Sequence, residues 1–187
     1  MQDLMESWQK IVVPQAPELK PVAIDTAHTA LLVLDLQKNN CNSERRPRCV
    51  DAIPEIQTLI DSARGNGIPV VYSLTSKAGP EDVLDAVAPL PDEHIVKSSV
   101  DKFYGTDLED YLRKADIQTV IIVGTAAEGA VLHTTAGAAM RGFNVMVPVD
   151  GLSSSSIYAE QYTVWHLANS PGTKKRTTLT RMGMISF

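Results

Sequence analysis

Residues 30–36, Ala-Leu-Leu-Val-Leu-Asp-Leu, are apolar throughout except for one carboxylate near the C-terminal end. A run that offers neither face a polar residue predicts a strand covered on both sides, as in parallel sheets whose crossover helices pack on each face. The rest of the chain supplies those helices. Ile53, Ile56, Leu59, Ile60 and Ala63 recur at helical spacing over 52–67, a segment closed by Gly65 and Gly67. A second apolar strand is expected over 68–74, a short helix over 81–89 and a short strand over 94–99. A helix over 106–117 carries Thr106 as N-cap and Glu109 three residues on, the spacing of a capping box. The strand 119–123 leads through Gly124 into a helix over about 128–141; a strand over 144–151, a helix over 156–172 and a last strand early in 177–187 complete the pattern. Strand and helix alternate at least five times. The expected fold is α/β: one domain over 29–187, an open, mostly parallel sheet of about six strands with helices on both faces, a Rossmann-like three-layer sandwich. Residues 1–28, broken by Pro14, Pro17 and Pro21, read as an arm wrapped on the surface.

Charge narrows the partners. The formal net charge of −5 gives no general attraction to nucleic acid or to an anionic membrane surface. The one basic block, Arg45-Arg46-Pro47-Arg48, is too short and mixed for a nucleic-acid footprint. No apolar run approaches membrane-spanning length and the N-terminus lacks a secretory layout, so a cytoplasmic location is expected. In that setting Cys41 and Cys49 are expected as free thiols, with a structural disulfide as the alternative. No zinc-ligand spacing occurs, and no metal or cofactor is expected. Tyr162, Trp165 and Leu167 give the last helix more apolar surface than one face needs, which predicts a homo-oligomer, a dimer or tetramer.

In a sheet of this kind ligands meet the C-terminal strand ends. There the chain offers Asp35 and Gln37, then Lys97, then the turn Gly124–Ala127 at a helix start: an acid, a cation and a backbone turn. Glu128 suits a first helical turn through the dipole. His133 shares a helix face with Ala130, Gly137 and Met140, small neighbours that let another element pack close, and reads as a packing residue.

Three segments carry a resemblance: residues 31–37 (LLVLDLQ), 96–112 (VKSSVDKFYGTDLEDYL) and 119–154, from TVIIVG to DGLSS. Together they resemble the isochorismatase-like hydrolases, a cysteine hydrolase superfamily, over most of the chain from Ala30 to the C-terminal helix. The resemblance implies Asp35 as catalytic aspartate and Lys97 as catalytic lysine, with Lys102 as the competing lysine. It implies Phe103 and Tyr104 as pocket wall, and a non-proline cis peptide at Thr125–Ala126. Many members carry a nucleophilic cysteine at the position that is Ala130 here.

Without the thiol, the resemblance implies vinyl-ether cleavage of isochorismate to pyruvate and 2,3-dihydro-2,3-dihydroxybenzoate. Protonation of the terminal CH2 gives an oxocarbenium ion that water captures, a step needing a positioned acid and no covalent intermediate. Asp35 is the expected acid, held protonated by burial. Lys97 is expected to contact a small anionic substrate, with Gln37, Thr125, Ala126, Ala127 and Ala130 around it and the turn amides of Ala126 and Ala127 holding an oxygen. The alternatives are an amidohydrolase seen as a Cys-to-Ala variant at Ala130, and a non-catalytic binding or scaffold member. A relocated nucleophile at Cys41 is a more distant one.

Overall fold

A computed structural model describes residues 3–187. In chain order the elements are β1 (Val22–Ala23), β2 (Thr29–Leu34), α1 (Pro47–Gly65), β3 (Val70–Leu74), β4 (His94–Lys97), α2 (Leu108–Lys114) and β5 (Thr119–Thr125). A π-helical turn, Ala127–Val131, then opens α3 (Leu132–Met140), followed by β6 (Asn144–Pro148), β7 (Leu152–Ser153), α4 (Ile157–Asn169), β8 (Thr177–Thr180) and β9 (Ile185–Ser186).

The main sheet runs β4-β3-β2-β5-β6-β8, and every pairing in it is parallel. Both faces of β2 are buried, as its unbroken apolar run requires. Leu32 and Leu34 join a core with Leu108 and Leu112 of α2, Ala138 of α3 and Leu167 of α4. Leu31 and Val33 face the other way, onto Ile53, Ile56, Leu59 and Ile60 of α1. Each such aliphatic side chain contributes about 1.5–3 kcal/mol by leaving water.

Chain order places the site. From β2 the chain builds outward to β3 and β4, then returns to lay β5 on the other side of β2 and continues to β6 and β8. The direction of winding reverses between β2 and β5, and crevices form at such switch points.

Several local expectations are corrected. Helix α1 begins at Pro47, five residues before the apolar spacing becomes regular, because proline's missing N–H costs nothing at the first helical position. Residues 81–89 form two 3-10 turns, Pro80–Asp82 and Asp85–Val87, and no helix. The capping box at Thr106 does not close. Its hydroxyl accepts from Leu108 N–H, while the Glu109 carboxylate accepts from Arg113 and Arg141. The arm is fastened at its end: β1 pairs in parallel with β9, and Lys20 N–H donates to the Leu179 carbonyl. On α4, Leu167 belongs to the core, whereas Tyr162 and Trp165 are exposed.

Candidate active site

Asp35 follows β2 directly, with φ at 52°, a left-handed conformation that aspartate tolerates better than most residues. This bend turns its carboxylate into the crevice between β2 and β5. There Oδ1 accepts from the Ser73 hydroxyl at 2.8 Å, and Oδ2 lies 2.8 Å from Nζ of Lys102.

The lysine at Asp35 is therefore Lys102, and the expected pairing with Lys97 is corrected. Lys97 ends β4 at the edge of the sheet, and its side chain is exposed while Val96 points inward. A bend at Ser99–Val100, followed by a turn over Lys102–Gly105, then brings the chain back across the strand ends. The turn is held by Ser98 Oγ against the carbonyls of Asp101 and Tyr104, and by Lys102 N–H donating to Thr134 Oγ1 on α3. Gly137 makes room for it, since a side chain there would meet the Asp101 carboxylate. The small face of α3 admits this turn, and His133 beside it is exposed, not packed.

Lys102 has no exposed surface. Besides Asp35 it donates to the carbonyls of Ser99 at 2.6 Å and Ser98 at 3.3 Å. An ammonium has three protons. All three are engaged, so Lys102 orients and charge-balances Asp35 and makes no direct hydrogen bond to a ligand.

A cavity of about 290 Å³ opens over this pair. Its lining comes from the strand ends and the loops after them: Asp35; Asn40 and Arg46; Thr75 and Ser76; Ser98 to Val100; Thr125, Ala126, Gly129 and Ala130. Its volume lies at the small end of ligand pockets, which run about 300–1,000 Å³, and suits a one-ring molecule. The Thr125–Ala126 peptide is cis. Thr125 Oγ1 donates to the Ser153 carbonyl, and Ala130 contributes its methyl from the π-helical turn.

Four other expected site residues are placed outside this lining. Gln37 is fully buried and anchors the loop after β2 to β3: its Oε1 accepts from Thr75 N–H and its Nε2 donates to Thr75 Oγ1. Phe103 sits in the core against Phe143, with the Arg141 guanidinium over its ring. Tyr104 is exposed, and Ala127 is buried behind the turn. The turn reverses direction at Lys102, so the aromatic pair after it points away from the crevice.

The cysteines are not free thiols. Cys41 and Cys49 form a disulfide with Cα atoms 5.4 Å apart, which also removes Cys41 as a nucleophile. Both are buried, and their bond closes the loop that carries Arg46. Arg46 itself was not singled out by the sequence, where it lies in an ordinary basic tetrad. Its signal is position: it stands immediately before Pro47 and between the cysteines.

The described residues contain no group of three or more histidine, cysteine, aspartate or glutamate side chains arranged to hold a metal ion. No helix among them is long and apolar enough to cross a membrane.

Residues 29–178 match the family description "Isochorismatase domain". The chain is 26% identical over 153 residues to N-carbamoylsarcosine amidase of an Arthrobacter species, an alignment covering 67% of this chain and 58% of that protein. It is 24% identical over 149 residues to the secreted isochorismatase effector Isc1 of Verticillium dahliae, covering 73% and 78% of the two chains. Among solved structures, a cysteine hydrolase from Pseudomonas syringae pv. phaseolicola superposes with a TM-score of 0.76 at 22% identity, over 90% of this chain and 95% of that one. That likeness bears on the fold alone.

Proposed function

This chain belongs to the isochorismatase family, and from that premise we propose that it hydrolyses the vinyl ether of isochorismate by proton delivery from Asp35. The observation that carries the reading is a crevice with a proton-bearing ion pair and no thiol. Both cysteines are joined to each other, and Ala130 presents a methyl where the resemblance to thiol hydrolases would require sulfur. In this reading a proton moves along the 2.8 Å bond from Lys102 to Asp35 and on to the terminal CH2 carbon, which becomes CH3. Water adds to the oxocarbenium carbon and returns its proton to Asp35. The hemiketal collapses to pyruvate and the ring alcohol. Ser73 fixes the carboxylate, Lys102 resupplies the proton, and Lys97 has no part.

The test is pyruvate release from isochorismate, followed with a coupled lactate dehydrogenase assay. Asp35→Ala is expected to abolish release while the protein stays folded. Undiminished turnover in that variant overturns the assignment.

Amide hydrolysis is the second reading, favoured by the similarity to an N-carbamoylsarcosine amidase. It requires a sulfur at position 130. Under this reading Ala130→Cys, given a panel of small amides and carbamoyl compounds, accumulates an acyl-enzyme visible by mass spectrometry. Under the vinyl-ether reading it does not.

The Cys41–Cys49 bond weighs against the reducing compartment expected from the sequence and favours an oxidising one. Exposed Tyr158, Tyr162 and Trp165 on α4 support self-association; a monomer by gel filtration at micromolar concentration removes that part.

A further inference from the structure

Arg46 is 7% exposed, and it pairs with no carboxylate among the described residues. Of the five N–H donors of its guanidinium, one is engaged: Nη1 donates to the Asn40 carbonyl at 2.9 Å. Nε is buried with no partner at all. Its basic neighbours are occupied elsewhere. Arg45 donates to the Asn39 carbonyl and Asn40 Oδ1, and Arg48 pairs with Glu160 at 2.8 Å.

Burying a cation without a counter-charge is costly. The cost is visible in Arg46 itself, whose ionisation is pushed below the ordinary arginine value by desolvation first and then by the nearby Arg45. Glu128 and Asp35 oppose that shift, but neither forms an ion pair with it. Asp35 is already neutralised by Lys102. The cavity therefore holds one unspent positive charge, and Arg46 lines it.

The loop keeps it there. Gln37 O accepts from both Asn40 N–H and Cys41 N–H, Arg46 N–H donates to Asn42 O, and Cys49 N–H donates back to Arg46 O. The disulfide closes these bonds into a ring and Pro47 starts the helix behind them. An anchored guanidinium with a free fork is suited to a carboxylate, which it meets with two parallel charge-assisted hydrogen bonds.

We propose that Arg46 is the carboxylate-binding and substrate-selecting residue of this cavity, so that the site takes small cyclic carboxylic acids and rejects their neutral amides. The assignment rests on the proposed hydrolase reading only for the location of the site. Its test is a binding measurement and needs no turnover.

The probes are 2,3-dihydroxybenzoate and 2,3-dihydroxybenzamide, titrated calorimetrically into the intact protein. Wild type is expected to prefer the acid by roughly tenfold to a hundredfold, the effect of one charged hydrogen-bonded contact. Arg46→Gln should erase the preference by weakening the acid alone, and Arg46→Lys should restore part of it. Melting curves confirm that the variants are folded; loss of an unpaired buried cation is expected to leave the melting temperature unchanged or higher. Equal binding of acid and amide by wild type, binding of neither, or an unaltered preference in folded Arg46→Gln overturns the proposal. Pyruvate release from isochorismate, run in parallel, separates the two readings. Acid-selective binding lost in Arg46→Gln without any turnover of isochorismate sinks the vinyl-ether reading alone. Turnover with an unchanged KM in Arg46→Gln sinks the role of Arg46 alone.

Discussion

Nζ of Lys102 lies 2.8 Å from Oδ2 of Asp35 and is closed off from solvent by that carboxylate and by the Ser98 and Ser99 carbonyls. The pair is balanced as it stands, and each member is stranded without the other. Lys102→Met leaves a buried carboxylate uncompensated and is expected to cost about 3–5 kcal/mol of stability as well as all turnover. The double variant Asp35→Asn/Lys102→Met should recover most of that stability and none of the activity. Lys97→Ala, on the exposed end of β4, should stay within about 0.5 kcal/mol of wild type and keep full turnover. Urea unfolding and the pyruvate assay distinguish these three outcomes.

The Cys41–Cys49 bond closes a loop with a sequence separation of 8 residues. In the chain-entropy account such a loop contributes about 2.5 kcal/mol. Cys41→Ala/Cys49→Ala is therefore expected to melt about 5–10 °C lower. Because both sulfurs are buried, native protein should resist dithiothreitol and become alkylated only under conditions that open it, as mass spectrometry would read directly.

His28 Nδ1 lies 2.9 Å from Asp25 and its Nε2 3.3 Å from Asp116, contacts that both ring nitrogens can donate to only as imidazolium. The Asp25 hydrogen bond, opposed by desolvation, raises His28 above its ordinary value of 6.5; the same bond lowers Asp25 below its ordinary 3.8. A raised histidine stabilises the fold fully below its unfolded pKa and stops doing so as pH climbs through the folded one. A lowered aspartate stabilises above its unfolded pKa and stops as pH falls through the folded one. The contact thus acts most strongly between those limits and fades as pH rises through the raised folded value of His28. A proton NMR titration of His28 should show a midpoint above 6.5, and Asp25→Asn should bring it down.

Gly124 has a φ of +130°, and a Cβ there would run into the Leu34 carbonyl of the neighbouring strand. Gly124→Ala combines a glycine-only conformation with a backbone collision at the junction of β2 and β5. It is expected to cost at least about 2 kcal/mol, a loss of about 4 °C or more in melting temperature.

The sheet was legible because β2 and β5 must be apolar on both faces, and only a parallel interior strand has that need. Asp35 was legible for the related reason that it is the lone charge in such a run. Lys102 was harder to identify. Lys97 and Lys102 stand five residues apart, and the choice depends on a turn whose course is set by Thr134 and Gly137, more than thirty residues downstream. The disulfide depends on the two cysteines approaching within the loop, which spacing alone leaves open. Arg46 was invisible because a basic tetrad reads as solvated charge; what distinguishes it is the lack of a counter-charge, a property of its surroundings.

Strands β1 and β9 run in the same direction. Tension applied through the two chain termini therefore acts along both strands in opposite senses, and their hydrogen bonds, among them Ile24 N–H to the Ser186 carbonyl, are loaded together. An antiparallel clasp would peel open one bond at a time. This short pair holds the ends in shear, the geometry that gives a small patch of backbone its greatest mechanical resistance.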